Sequence, residues 1–171
     1  PDGDFIDVDH THPAPAPGRP WLVLFHGLEG SSQSHYARAL MAATGDAGWQ
    51  GVVPHFRGCS GEPNLAPRAY HSGDSDEIDW IVRRIVRRAN GAPVFVAGVS
   101  LGANALLKWL GERGEEAARL VTAAAGVSPP QDLRAGADAL GRGFNRIYTL
   151  NFLLTLKRKS LAKLAAWPDL Y

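Results

Sequence analysis

The chain has 171 residues, of which 45% are hydrophobic, 20% charged and 9% aromatic, a composition typical of a soluble globular domain. Its 18 Lys and Arg residues against 17 Asp and Glu leave a net charge of +1, which gives no electrostatic argument for nucleic acid or an acidic lipid surface. One Cys excludes an intrachain disulfide framework, and no apolar run approaches the ~18 residues of a transmembrane helix. We expect a cytoplasmic protein and leave its oligomeric state open.

Strand and helix patterns alternate through the first 130 residues. Alternating or continuous apolar runs predict strands over residues 4–9, 21–25, 51–56, 93–98 and 120–127. Helical periodicity between them predicts helices over residues 36–47, 74–88 and 101–113. Loops rich in Pro, Gly and Ser cover 12–20 and 57–67. This alternation predicts an α/β fold with a mostly parallel sheet flanked by helices.

After Pro130 the alternation stops, and residues 131–171 are predicted to be helical with no further strand. We therefore divide the chain into a core, residues 1–130, and a helical segment, residues 131–171. The apolar side chains of this segment lack a sheet to cover, and the predicted sheet keeps an open edge after its last strand. Both features lead us to expect that the chain is part of a larger protein, with C-terminal strands missing.

The strongest chemical signal is the sequence GVSLG, residues 98–102, between a predicted strand and a predicted helix. A sharp strand-to-helix turn exposes the Ser100 hydroxyl at the carboxyl end of the sheet, and its neighbours must be small. Gly98 and Gly102 meet that requirement. The helix N-terminus then lies beneath an oxyanion that forms when the serine attacks a carbonyl. The pattern predicts Ser100 as a nucleophile, whereas an ordinary turn with an incidental serine is the alternative.

A second signal is the sequence HGLEG, residues 26–30, directly after a buried strand. In an esterase sheet the loop after this strand supplies one oxyanion N–H, and the residue after the nucleophile supplies the other. The two donors would be the backbone amides of Leu28 and Leu101. We interpret His26 as a residue that shapes the loop and do not assign it as the catalytic base.

The other candidate residues and motifs give weaker evidence of a function. Cys59 is interpreted as a plain loop residue, because no helix N-terminus or nearby basic motif argues for a reactive thiol. His10 and His12 could bind a metal, but further ligands at suitable spacing are lacking, so surface histidines are favoured and no metal is predicted. The sequence holds neither GxGxxG nor a Walker lysine loop, and we predict no cofactor. Four arginines near the end of the second helix are interpreted as a solvated helix face.

Four motifs in order, HGLEGSSQSHYARAL, VVPHFRGCSGEPN, YHSGDSDE and GVSLGAN, resemble the α/β-hydrolase superfamily, and more narrowly its YheT-like branch of abhydrolase-domain esterases and lipases. The resemblance runs from about Gly3 through the helical segment. It implies hydrolysis of short- or medium-chain acyl esters or lipids without a cofactor. It places the nucleophile at Ser100, the oxyanion amides at Leu28 and Leu101, and the start of a helical cap at residues 131–171.

The chain departs from the family in its catalytic histidine. Triad order in this fold is Ser, then Asp or Glu, then His. Every histidine here precedes Ser100, namely His10, His12, His26, His35, His55 and His71. Asp132 and Asp138 follow it, but the resemblance places the family acid later still. We therefore expect the triad Asp and His beyond residue 171, and we expect these residues alone to be nearly inactive.

Three functional hypotheses remain. The first is a serine ester hydrolase that forms an acyl-enzyme on Ser100 and acts on a small-molecule ester or lipid. The second, supported by the missing histidine, is a non-catalytic scaffold of the same fold that binds a ligand or partner through the cap. The third is a cofactor-free perhydrolase, which the motifs cannot separate from an esterase because the choice depends on pocket shape.

Overall fold

The computed structural model describes residues 2–11 and 16–170 of the chain. Its strands are β1 (Val8–His10), β2 (Trp21–Phe25), β3 (Gln50–Pro54), β4 (Val94–Val99) and β5 (Ala123–Val127). Its helices are α1 (His35–Asp46), α2 (Ser75–Ala89), α3 (Leu101–Arg113), α4 (Glu115–Leu120), α5 (Leu133–Leu140) and α6 (Asn145–Ala166), with a final 3₁₀ turn at Pro168–Leu170. Within this described part, no helix has the length and apolar character that a bilayer crossing requires.

The five strands form one sheet in the order β1-β3-β2-β4-β5. All neighbouring pairs are parallel except β1 with β3, so the predicted mostly parallel sheet is confirmed. From β2 the chain crosses first to β3 on one side and then past β2 to β4 on the other. The carboxyl ends of β2 and β4 therefore lie together where the strand order reverses, the usual ligand site of open α/β sheets.

Helices cover both faces of the sheet. On one face, the largest buried side chains of α2 and α3 pack against strand residues such as Val23 and Val96. These helix side chains are Ile78, Ile81, Val82, Ile85, Leu106 and Trp109. On the other face, α1 packs Ala37 and Leu40 against Leu24 and Val53. Because both faces are covered, β2 and β3 consist of nearly uninterrupted apolar residues, as parallel strands require.

Helix α2 follows its sequence pattern closely. Acidic residues occupy its first turn and arginines its last, which complements the helix dipole. It ends at Ala89 and is capped by Asn90, whose φ of 47° is left-handed. Arg83 on its outer face pairs with Asp79 and with Glu116, and the Arg84 guanidinium lies 4.8 Å from the centre of the Trp80 ring. Arg84, Arg87 and Arg88 are exposed, so the arginine-rich end of α2 is the solvated helix face that the sequence predicts.

The structure corrects two predicted strands. The strand expected over 4–9 is only Val8–His10, because the Asp4 side chain is bound by the loop after β3 rather than facing solvent. The strand expected over 120–127 begins at Ala123, because α4 extends to Leu120. An ion pair between Glu115 and Arg119 supports this helix, which at six residues is too short to show a clear period. Of the loop predicted over 12–20, residues 12–15 lie outside the described residues.

From β5 onwards the chain is much more exposed to solvent than before it. Every residue of β5 is exposed, and the strand lies at the edge of the described sheet. Large apolar side chains of α6 and the turn before it are also exposed, namely Phe144, Ile147, Leu150, Leu153, Leu154, Leu161 and Leu164. Within the described residues, no strand follows Val127, in agreement with the expectation for 131–171.

A buried ionic network attaches the start of the chain to the loop after β3. The Asp4 carboxylate accepts hydrogen bonds from Arg57, from the Asn64 side chain and from the Leu65 amide, at 2.7, 2.7 and 2.8 Å. Arg57 also donates to the buried Glu77 at 2.6 Å. Burial alone would raise the pKa of Asp4, but the hydrogen bonds from Asn64 and Arg57 outweigh it and hold that pKa well below its usual range. Asp4 thus stabilises the fold only while it is ionised.

We predict that Asp4→Asn lowers the free energy of unfolding at pH 7 by on the order of 3 kcal/mol, because it removes one of the buried carboxylates that compensate the charge of Arg57. The native pKa of Asp4 is depressed, so its contribution is complete above the unfolded-state pKa near ~4 and is lost as pH falls further. Urea unfolding at pH 7, 4 and 3 should therefore show a smaller loss in the variant than in the wild type. The exposed Asp7→Asn is the control, and equal pH dependence in all three proteins would contradict this role.

Candidate functional site

Ser100 stands between β4 and α3 in a strained backbone conformation. Its φ is 52° and its ψ is −117°, values that cost a non-glycine residue about 1–3 kcal/mol. Its amide donates to the Val127 carbonyl at 2.9 Å, which continues the pairing of β4 with β5. Ser100 is the N-terminal flanking residue of α3, yet its side chain makes no capping hydrogen bond. The hydroxyl is therefore not used to stabilise the helix.

Two glycines allow α3 to begin against the sheet. A Cβ on Gly102 would lie 2.4 Å from the carbonyl oxygens of Phe25 and His26, and one on Gly98 would lie 2.6 Å from the Ala103 Cα. Neither position has space for a side chain. The close approach sets the first turn of α3 directly on the end of β2, and it explains why residues 98 and 102, two positions before and after Ser100, are glycine.

The loop after β2 lies beside Ser100. A Cβ on Gly27 would be 3.4 Å from the Ser100 Cβ. Residues 27–30 form a turn closed by a 2.9 Å hydrogen bond from the Gly30 amide to the Gly27 carbonyl. The Glu29 φ of 54°, with Leu28 not in the positive region, is the pattern of a type II turn. The structure thus brings together the two segments that the sequence analysis singled out.

Hydrogen bonds account for three of the four amides in this turn. The Gly27 amide donates to the Tyr36 hydroxyl at 2.8 Å, and the Glu29 amide donates to the Tyr70 hydroxyl at 2.8 Å. The Gly30 amide closes the turn. Among the described residues, the Leu28 amide has no acceptor. It is the one N–H of the turn that remains available to a ligand.

The Leu101 amide is in a similar position. It is the first N–H of α3, where no earlier helical carbonyl exists to accept it, and the dipole of the helix favours negative charge. Within the described part of the chain it has no hydrogen-bond acceptor. Ser100 is thus flanked by two segments that each leave one amide unused.

His26 supports the turn from below. Its side chain is fully buried. The His26 Nε2 atom accepts a hydrogen bond from the Phe56 amide at 3.0 Å. The Nδ1 atom therefore carries the proton and donates a hydrogen bond to the Gly27 carbonyl at 2.8 Å. Burial lowers the pKa of His26 to about 4, so the ring stays neutral at pH 7. With both ring nitrogens occupied by backbone groups, His26 has no free nitrogen with which to accept a proton from Ser100.

A polar cluster connects the turn to α6. The Glu29 carboxylate accepts a hydrogen bond from the Tyr70 hydroxyl at 2.7 Å and pairs with Lys159 at 2.8 Å. Lys159 also lies 3.6 Å from the Cys59 sulfur, a basic neighbour that the sequence analysis did not find because it is 100 residues away. Burial nevertheless raises the pKa of the Cys59 thiol. Tyr36 and Tyr70 lie within two of the motifs quoted above, but nothing in the sequence indicates their contacts with the turn, and Lys159 lies outside all four motifs.

None of the described histidines is hydrogen-bonded to Ser100. His55 is buried and its Nε2 lies 3.0 Å from Asp9, while His71 lies 3.1 Å from Asp74. His10 packs edge-on against Trp21. In residues 2–11 and 16–170 no three His, Cys, Asp or Glu side chains are grouped to hold a metal. His12, considered above with His10, lies outside the described residues.

A large open cavity lies away from Ser100. It is lined by residues of β1, β2 and α1, among them Asp9, Thr11, Trp21 and Arg38. Neither Ser100 nor the turn 27–30 contributes to its wall. The chemistry of the site therefore depends on the strand ends rather than on this cavity.

Comparison with known proteins agrees with this architecture. Residues 20–168 match the family model described as "alpha/beta hydrolase fold". The chain is 46% identical over 169 residues to "Putative esterase YheT" of Escherichia coli (strain K12), covering 98% of this chain and 49% of that protein. It is 31% identical over 145 residues to "Phospholipase ABHD3" of Mus musculus, covering 85% of this chain and 35% of that protein. The resemblance to the YheT-like branch is confirmed.

A solved structure shows the same fold. The crystal structure of an α/β serine hydrolase without lid from Xanthomonas campestris superposes with a TM-score of 0.57 and 20% identity, covering 75% of this chain and 57% of that one. The chain thus spans about half the length of its E. coli relative and about a third of the mouse one.

Two glycines of α3 provide a matched test of the packing beneath Ser100. We predict that Gly102→Ala destabilises the protein by about 3 kcal/mol or more, because its Cβ meets backbone atoms that cannot move aside. Gly111→Ala in the same helix meets nothing within 4 Å and should stabilise by about 0.5–1 kcal/mol. Urea denaturation measures both, and a Gly102→Ala protein as stable as the wild type would contradict the close approach.

Proposed function

The chain belongs to the α/β-hydrolase fold family, and we propose that the protein to which it belongs is a serine carboxylic-ester hydrolase. Ser100 is its nucleophile, and the amides of Leu28 and Leu101 form its oxyanion hole. One observation supports this most directly: Ser100 has a hydroxyl not engaged in capping, and each neighbouring segment leaves one amide without an acceptor among the described residues.

The proposed reaction passes through an acyl-enzyme. The Ser100 oxygen attacks the ester carbonyl carbon while a general base accepts its proton. The carbonyl oxygen becomes negative and accepts hydrogen bonds from Leu28 and Leu101. Collapse of this intermediate releases the alcohol, which takes the proton from the base. Water then attacks the acyl group, releasing the carboxylic acid and restoring Ser100.

The general base and its acid partner are proposed to lie in the remainder of the full-length protein. His26 has both nitrogens occupied, and none of the described histidines is bonded to Ser100. The backbone donors and the nucleophile would then come from this chain, and the proton-transfer groups from elsewhere. Without them, residues 1–171 alone would have little activity.

The proposed substrates are small acyl esters or lipids. Three relatives support this class by name: a putative esterase, a phospholipase and the "Monoacylglycerol lipase" of Saccharomyces cerevisiae. That yeast protein is 29% identical over 157 residues, covering 88% of this chain and 34% of its own length. We further propose that residues 131–171 form a helical cap beside the site, since Lys159 of α6 contacts the turn 27–30.

A fluorophosphonate probe on the full-length protein tests the proposal. We predict stoichiometric labelling at Ser100, because attack of an activated serine on phosphorus expels fluoride and leaves a stable phosphonyl ester. Ser100→Ala should abolish labelling and lower kcat for a short-chain p-nitrophenyl ester by about 10⁴-fold or more. Peptide mass spectrometry identifies the labelled residue.

Ser160→Ala is the matched control, since this exposed serine lies on α6 and has no proposed role. It should label and turn over like the wild type. An unlabelled Ser100 in a folded full-length protein would overturn the hydrolase proposal and favour a non-catalytic scaffold of the same fold. Labelling with peracid formation in place of ester hydrolysis would favour a perhydrolase.

A further inference from the structure

Glu29 is an unexpected residue at its position. The third residue of a type II turn has a positive φ, where glycine or asparagine is preferred. Glu29 adopts φ 54° there, which costs a residue with a Cβ about 1–2 kcal/mol. Such strain persists only where the surroundings hold the residue in place. The backbone and side-chain contacts of Glu29 contribute to that support.

Tyr70 provides the first contact. Its hydroxyl accepts a hydrogen bond from the Glu29 amide at 2.8 Å and donates one to the Glu29 carboxylate at 2.7 Å. The Tyr70 oxygen thus links the backbone of Glu29 to its side chain. The Tyr70 ring stacks on Phe56 with 5.3 Å between ring centres. Burial raises the pKa of Tyr70, which keeps the hydroxyl protonated and able to donate.

Lys159 provides the second contact and reaches it from α6. Its ammonium lies 2.8 and 2.9 Å from the two oxygens of the Glu29 carboxylate, which is only 6% exposed. A carboxylate buried to that degree needs a cation, because desolvation without one is costly. One turn further along, Lys163 donates to the carbonyls of Asn64 and Ala66. The two lysines attach α6 to the loops around the site.

We infer that Lys159, acting through Glu29, is a positioning residue that holds the Leu28 amide in place. The packing of α6 against the turn 27–30 thereby controls the geometry of the oxyanion hole. The inference rests on the proposed function. If α6 moves away, the Glu29 carboxylate loses its cation while remaining beside Tyr70, and the strained turn loses the contact with Lys159 that helps to hold it. The Leu28 amide, which lies directly before Glu29 in that turn, then leaves the position it needs for the oxyanion.

Two single variants and their combination in the full-length protein test the coupling. We expect Lys159→Met and Glu29→Gln each to slow phosphonylation of Ser100 by at least about tenfold and to lower kcat more than they change KM, because an oxyanion contact is made chiefly in the transition state. The double variant should be no slower than the slower single one, since both remove one interaction. Lys159→Arg keeps the cation and should recover most of the rate.

Lys157→Met is the matched control, because Lys157 is an exposed lysine on the same helix with no contact to the turn. It should label within about twofold of the wild type, as surface substitutions usually do. Urea unfolding of every variant separates a loss of fold from a loss of rate. Lys159 is a third exposed, so its replacement is compatible with folding.

The outcomes separate the inference from the function on which it rests. An unlabelled Ser100 in the wild type contradicts the proposed hydrolase. A labelled wild type with a folded Lys159→Met variant that reacts equally fast overturns the coupling alone. Single-variant effects that multiply in the double variant also overturn it, because Lys159 and Glu29 would then act independently.

Discussion

The close approach of α3 to the end of β2 is the constraint on which the site depends. At Gly102 the backbone of the helix lies where even a methyl group would overlap two carbonyl oxygens of β2 and the residue after it. This contact places the helix N-terminus beside the turn 27–30 and forces Ser100 into its left-handed conformation. The cost of that strain is offset by the large core that α2 and α3 form against the sheet.

The turn 27–30 is held by side chains from several distant parts of the chain. Tyr36 of α1 and Tyr70 of the loop before α2 each take one amide, while the neutral His26 ring ties the turn to the strand end of β3. These contacts use the donors around the Leu28 amide and leave that donor without an acceptor in the described structure. Rigid support of a few unused donors is the arrangement that electrostatic stabilisation of a transition state requires.

Much of the fold could be predicted from the sequence because its elements have strong local patterns. Continuous apolar runs correctly predicted the strands β2 and β4, and the helical spacing of apolar residues correctly predicted α2. The glycines at positions 98 and 102 indicated the sharp turn at Ser100. Helix α4 was missed because six residues carry little periodicity. The parts of the site contributed by Tyr70 and Lys159 could not be predicted, because their contacts with Glu29 span 41 and 130 residues.

The central claim is that Leu28 and Leu101 stabilise an oxyanion formed at Ser100. A crystal structure of the full-length protein phosphonylated at Ser100 tests it most directly, since the phosphonyl oxygen occupies the place of the oxyanion. The account predicts that this oxygen lies about 2.7–3.1 Å from both amide nitrogens. An oxygen that points to solvent, or that is held by other donors while both amides remain unoccupied, would contradict it.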